Sequence, residues 1–163
     1  MTQQSVRPRS VTHGSFTIER TFDTSPARVF NAFGDAKIKK RWFTGPEEWG
    51  PDQHELDFRV GGRETSIGGP PGGPVFKYEA IYQDIVPDER IVTTYDMWND
   101  ETLISVSVAT FEFKSEGRKT RLVMTEQDAF LDGYDDKGSR EEGSRLIMDG
   151  LEREIKRQLA AGE

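Results

Sequence analysis

The sequence predicts an α+β domain in which a bent antiparallel β-sheet wraps around a long C-terminal helix, with two short helices after the first strand. Three observations carry this. Ile147, Leu151, Ile155 and Leu159 recur every fourth position, with Leu146 and Met148 widening the stripe, which is the spacing of one buried helical face over 139–160. The chain from Glu55 to Gln127 reads as about six successive strands with hairpin-length connections, and short connections imply antiparallel pairing. A chain of 163 residues has room for one core, so the apolar face of the helix must lie on that sheet.

Each element has its own signal. Phe16, Ile18 and Arg20 alternate with Thr17, Glu19 and Thr21, the period of a first strand. Ser25-Pro26 supplies an N-cap and a first-turn proline for a helix carrying Val29, Phe30 and Phe33, and Asp35 caps a second from Ile38 to Trp42. Leu56, Phe58 and Val60 alternate up to a Gly61-Gly62 turn, and Arg63 to Ile67 follows. The run Gly68-Gly69-Pro70-Pro71-Gly72-Gly73-Pro74 holds neither strand nor helix, and no Lys-Ser/Thr pair or Gly-x-Gly-x-x-Gly pattern makes it a phosphate loop. Val75 to Val86 and Arg90 to Trp98 flank the turn Pro87-Asp88-Glu89. In Thr102 to Phe113 the parity of Ile104, Val106 and Val108 is opposite to that of Phe111 and Phe113, so a β-bulge or a change of buried face is expected near Ala109 and Thr110. Lys119 to Gln127 makes the last strand. A loop from Asp128 to Gly138 follows, and a Ser139-x-x-Glu142 capping box opens the helix.

Composition narrows the function. A net charge of -7 and the lack of a concentrated basic patch argue against nucleic acid or an anionic membrane as partner. The absence of cysteine removes disulfides, thiolate nucleophiles and cysteine metal sites together. No segment reads as a signal peptide or a transmembrane span, so a cytoplasmic protein is expected. Residues 1–14 are expected to form a flexible polar arm and residues 15–163 a single domain.

Taken in order, Phe16-Thr-Ile-Glu-Arg20, Ser25-Pro26-x-x-Val29-Phe30, Lys40-Arg41-Trp42-Phe43, Asp57-Phe-Arg59-Val-Gly61-Gly62, Glu79 to Ile85, Pro87-x-Glu89-Arg90-Ile91-Val92 and Gly117-x-x-Thr120-x-Leu122 resemble the homologue-1-like activator of heat-shock-protein-90 ATPase family. That family lies within the START and birch-pollen-allergen-like (SRPBCC) superfamily. The resemblance implies a helix-grip fold with a cavity between sheet and terminal helix. It does not imply one activity, because the superfamily includes lipid carriers, cyclases and co-chaperone modules. The 163 residues hold no counterpart of the separate N-terminal domain of the eukaryotic co-chaperone. Where the family's terminal helix commonly carries Gly-Trp, Gly143 is followed by Ser144, so the resemblance implies either room near the helix start or another group filling the place of the indole.

The expected function is the binding of a small apolar or aromatic ligand. Trp42, Phe58, Tyr78, Tyr95, Trp98, Met124, Ile147 and Leu151 are the candidate ligand-binding residues, with Tyr82 beside them; the same aromatics can equally fill the core of a bent sheet. Asp57 and Arg59 share a strand face and Arg63 follows the turn, so they form either a polar group in the cavity or an exposed ion pair. His13 and His54 are the only histidines; His54 and Glu55 point to opposite strand faces, and the acidic run Asp132, Asp135, Asp136 lacks calcium-loop spacing, so no metal and no cofactor are expected. No Ser/His/Asp set is present; an enzyme of cyclase or hydrolase type would need one acid or base such as Asp96 or Glu79, working in a cavity with a pKa displaced by burial. A heat-shock-protein-90 chaperone is the alternative partner that the resemblance implies, in a stress response.

Overall fold

A computed structural model describes residues 7–163. Seven strands form one antiparallel sheet: β1 (Val11–Phe22), β2 (Gln53–Leu56), β3 (Arg63–Gly68), β4 (Phe76–Val86), β5 (Arg90–Asn99), β6 (Thr102–Glu116) and β7 (Lys119–Leu131). The spatial order is β1-β7-β6-β5-β4-β3-β2. Two short helices, α1 (Pro26–Gly34) and α2 (Ala36–Trp42), cross from β1 to β2 and bring the chain to the opposite edge, and α3 (Lys137–Ala160) packs against the same sheet face. This is the helix-grip architecture.

The inner sheet face is set by parity. Phe16, Ile18 and Phe22 on β1, Ile91, Thr93 and Tyr95 on β5, and Leu122, Met124 and Phe130 on β7 are buried, while their neighbours in sequence take the other parity and, Val123 apart, are more exposed. The main core joins this face to Val29, Ala32 and Phe33 of α1, to Trp42 of α2, and to Met148, Leu151 and Ile155 of α3. Phe33 sits at its centre, edge-on to Trp42 at 4.9 Å and to Phe113 at 5.3 Å. Arg20, on the inner parity of β1, pairs with Asp149 at 3.0 Å and Glu152 at 2.8 Å and fastens α3 to that edge.

Several expectations need correction. The first strand starts at Val11, because Val11 to Gly14 pair with Leu131 to Asp128. Asp132 holds its entry by accepting from Arg9 and from the Ser10 backbone N–H, both at 2.9 Å, so the arm is shorter than residues 1–14; residues 1–6 lie outside the described residues. Strand β2 ends at Leu56 rather than Val60, because Asp57 to Gly62 close a turn through the bond from Asp57 N–H to Arg63 C=O.

The expected bulge at Ala109 and Thr110 is absent; register shifts instead at Met97/Trp98, opposite Ile104. Beyond that point the inner face of β6 is Ser105, Ser107, Ala109 and Phe113, and Val106 and Val108 face outward, 41% and 36% exposed. Two serines therefore occupy positions that the valines were expected to fill.

On α3, Asp136 rather than Ser139 is the N-cap, its carboxylate accepting from Ser139 N–H at 2.9 Å. The buried stripe is Arg140, Ser144, Met148, Leu151, Glu154, Ile155 and Gln158, while Leu146 and Leu159 are exposed. The helix is rotated toward its polar side, and Arg140 and the inward serines of β6 share one cause.

Candidate functional site

Between the inner sheet face and α3 lies a cavity of about 1510 Å³, large beside the roughly 300–1,000 Å³ of ordinary small-molecule sites. Its wall is mainly aromatic. Phe33, Trp42 and Phe43 come from the α1–α2 side, Tyr78 and Tyr82 from β4, Tyr95 and Met97 from β5, Phe111 from β6 and Met124 from β7. Ser144, Ile147 and Met148 of α3 close it, and the segment around Trp49 rims it, with Trp49 stacked on Phe76 at 5.7 Å. Ser144, which stands where the commoner family pattern carries tryptophan, is buried in this wall, and Gly143 before it is exposed.

Of the residues singled out from sequence, Trp42, Tyr78, Tyr95, Met124 and Ile147 line this cavity. Three do not. Phe58 packs edge-on to Phe30 at 5.5 Å and to Tyr82 at 5.1 Å, and Leu151 is fully buried in the core. Trp98 points to the outer sheet face beneath the Lys77 ammonium, because its parity is opposite to that of Tyr95 and Met97. Asp57, Arg59 and Arg63 are exposed; Asp57 and Arg59 make a surface ion pair at 2.9 Å, which overturns a polar cavity group there.

Two charged clusters are built into the wall instead. In the first, Glu64, fully buried on β3, accepts from Lys39 at 2.5 Å and from the Tyr82 hydroxyl at 2.7 Å, and lies 2.7 Å from His54 Nε2. Burial pushes its carboxyl up, but the Lys39 charge and the bonds from His54, Lys39 and Tyr82 outweigh it and hold the group ionised below its ordinary range. This pair is closed on itself. Lys39 also lies 4.5 Å from the centre of the Phe43 ring.

The second cluster is not closed. Arg140 reaches from α3 to the Tyr95 hydroxyl at 2.9 Å, Ser107 at 3.2 Å, Ser105 at 2.6 Å, Asp128 at 3.4 Å and Asp135 at 3.1 Å. Glu126, 1% exposed, lies 3.5 Å from the same guanidinium. Ser107 donates to Asp128 at 2.5 Å. Yet Glu126 Oε2 and Asp128 Oδ2 are buried without a hydrogen-bond partner. Burial first, then the neighbouring Asp128, push the Glu126 carboxyl from 4.5 to about 8, against the opposing pull of Arg140 and Tyr95. Burial likewise raises Tyr78 and Tyr95, so both hydroxyls stay protonated and can donate. The charges of Glu64 and Glu126 both act on Tyr78, which places it between the two clusters, with its ring 4.8 Å from that of Tyr95.

Glu126, Asp128 and Arg140 were missed from sequence. The signal was present: Glu126 and Asp128 fall on the parity of Leu122, Met124 and Phe130, so two acids sit on the core face of a strand. Reading a loop from Asp128 hid it. Among the described residues, no group of three or more His, Asp or Glu side chains could hold a metal, and no helix is long and apolar enough to cross a membrane.

The model of the family described as "Activator of Hsp90 ATPase homolog 1-like protein" matches residues 23–159. The chain belongs to that family. Two solved structures extend the likeness to nearly the whole domain. An uncharacterized protein from Rhizobium leguminosarum is 41% identical with a TM-score of 0.87, over 92% of this chain and 99% of the other. The Mll3558 protein from Rhizobium loti is 46% identical with a TM-score of 0.83, over 89% and 99%. Protein CV1439 from Chromobacterium violaceum shares the fold at 22% identity and a TM-score of 0.72, over 86% of this chain and 96% of its own. No curated protein matches. Membership makes this a domain of a ligand-binding fold family, and the chemistry rests on the cavity of this chain.

Proposed function

We propose that the protein binds a small apolar or aromatic molecule in the cavity between the sheet and α3. The observation that carries this is the cavity itself. A domain of this size ordinarily packs its interior to crystal-like density, whereas here the space between β4–β7 and α3 is left open and walled by rings. The five lining residues read from sequence, Trp42, Tyr78, Tyr95, Met124 and Ile147, are the proposed contacts. Ile147 stands at the α3 wall beside Gly143, so Ile147→Trp should fill the entrance. The expected result is loss of binding with a melting temperature within a few degrees of wild type, read by thermal shift against a panel of aromatic and fatty compounds. A panel that never raises the melting temperature of wild type overturns the reading.

A second reading follows from the family's description: contact with a heat-shock-protein-90 chaperone through the outer surface. It is tested by the ATPase rate of the cognate chaperone at saturating protein. An unchanged rate rejects it.

A further inference from the structure

Resting on the cavity reading, we propose that the Glu126–Asp128 pair is a recognition site for a protonated amine, so that the ligand is an apolar or aromatic body carrying a cationic nitrogen. Three carboxylates, Glu126, Asp128 and Asp135, surround one guanidinium at 3.5, 3.4 and 3.1 Å. The cluster therefore has an excess of acid over base, and it is more than nine-tenths buried at Glu126, Asp128 and Arg140. A ligand carboxylate finds no open donor fork on Arg140, whose two terminal nitrogens are already directed at Tyr95, Ser107, Asp128, Ser105 and Asp135. It would also add negative charge to a site that already lacks positive charge.

What the site lacks is a donor to two of its carboxylate oxygens. Glu126 Oε2 and Asp128 Oδ2 lie on one strand face two residues apart, each buried without a hydrogen-bond partner, with the Arg140 guanidinium 3.5 Å from Glu126 Oε2, and Glu126 lines the cavity. Without ligand, one proton held between them satisfies both oxygens. An ammonium, with three N–H donors and a positive charge, does the same. Proton and ammonium therefore compete. The groups facing Glu126 from the packed elements are Asp128 on β7, Tyr95 on β5, Tyr78 on β4 and Arg140 on α3, with Asp135 behind the guanidinium. The tyrosines and arginine keep their protons through neutrality, so the exchange is carried by Glu126, whose carboxyl titrates near 8.

The test uses four probes with one body: 2-naphthylethylamine, 2-naphthylethanol, 2-naphthylacetate and 2-ethylnaphthalene, with binding measured by calorimetry at pH 7 in two buffers of different ionisation enthalpy. The amine is expected to bind roughly tenfold or more tighter than the alcohol, with the acetate weakest, and to release about one proton. Glu126→Gln, confirmed as folded by its melting curve, should lose both the amine preference and the proton release. Acetate binding as tightly as the amine, or an amine preference that survives Glu126→Gln, overturns the proposal. Binding of ethylnaphthalene and the alcohol without preference for the amine overturns the head-group assignment and leaves the cavity reading standing. Failure of all four overturns both.

Discussion

Glu126→Gln also tests the electrostatics of the cavity without any ligand. The glutamine amide has the shape of the protonated carboxyl and can donate to Asp128 as that proton does, so the variant mimics one protonation state of wild type. In wild type the folded protein keeps the proton between pH 4.5 and about 8, where the unfolded chain has released it. The native state binds more protons across that window, so stability falls as pH rises through it and levels off above the folded value. Raising a carboxyl from 4.5 to about 8 sets a ceiling on the order of 5 kcal/mol on that loss. For a domain of this length, even half the ceiling is a difference of roughly 5–10 °C in melting temperature. Thermal unfolding of both proteins from pH 5 to 9 should show near-coincident midpoints at pH 5 and an advantage for the variant that grows to pH 8 and then stays constant. A difference between the two that does not change with pH would refute a buried, proton-holding Glu126. A buried acid that lowers stability at neutral pH is the kind of local conflict that functional sites retain.

The closed cluster should respond differently. Lys39→Met removes the ammonium facing the buried Glu64 and leaves only Tyr82 and His54 beside it, and is expected to lower stability by about 3–5 kcal/mol in denaturant titrations; adding Glu64→Gln should recover much of that loss, and additivity of the two would contradict the pairing. On β6, Ser107→Val should destabilise more than Val108→Ser, because Ser107 donates to Asp128 and accepts from Arg140 while Val108 faces outward; the reverse order of melting temperatures would mean that the face assignment is inverted. On α3, Ile155→Ala should lower stability by about 2–5 kcal/mol and Leu159→Ala by less than about 1 kcal/mol, a contrast that equal losses would rule out.

The sequence by itself determined the architecture. Periodicity of 2 in Phe16-Thr17-Ile18, the cap at Asp35, the apolar stripe of the terminal helix, and turns short enough only for hairpins leave one arrangement of a curved antiparallel sheet around a terminal helix. It also named five of the cavity's walls, because large rings on central strands have few other places to go. It did not reach the polar end. The rule that apolar residues mark the inner face holds where the core is apolar and fails where charges are buried together: Ser105 and Ser107 face in, Val106 and Val108 face out, and α3 turns its Arg140 side down. A buried charge is stable only beside partners from distant parts of the chain. Arg140, Tyr95, Ser107 and Glu126 come from four different elements, and only the folding of α3 onto the sheet brings them within reach of one another.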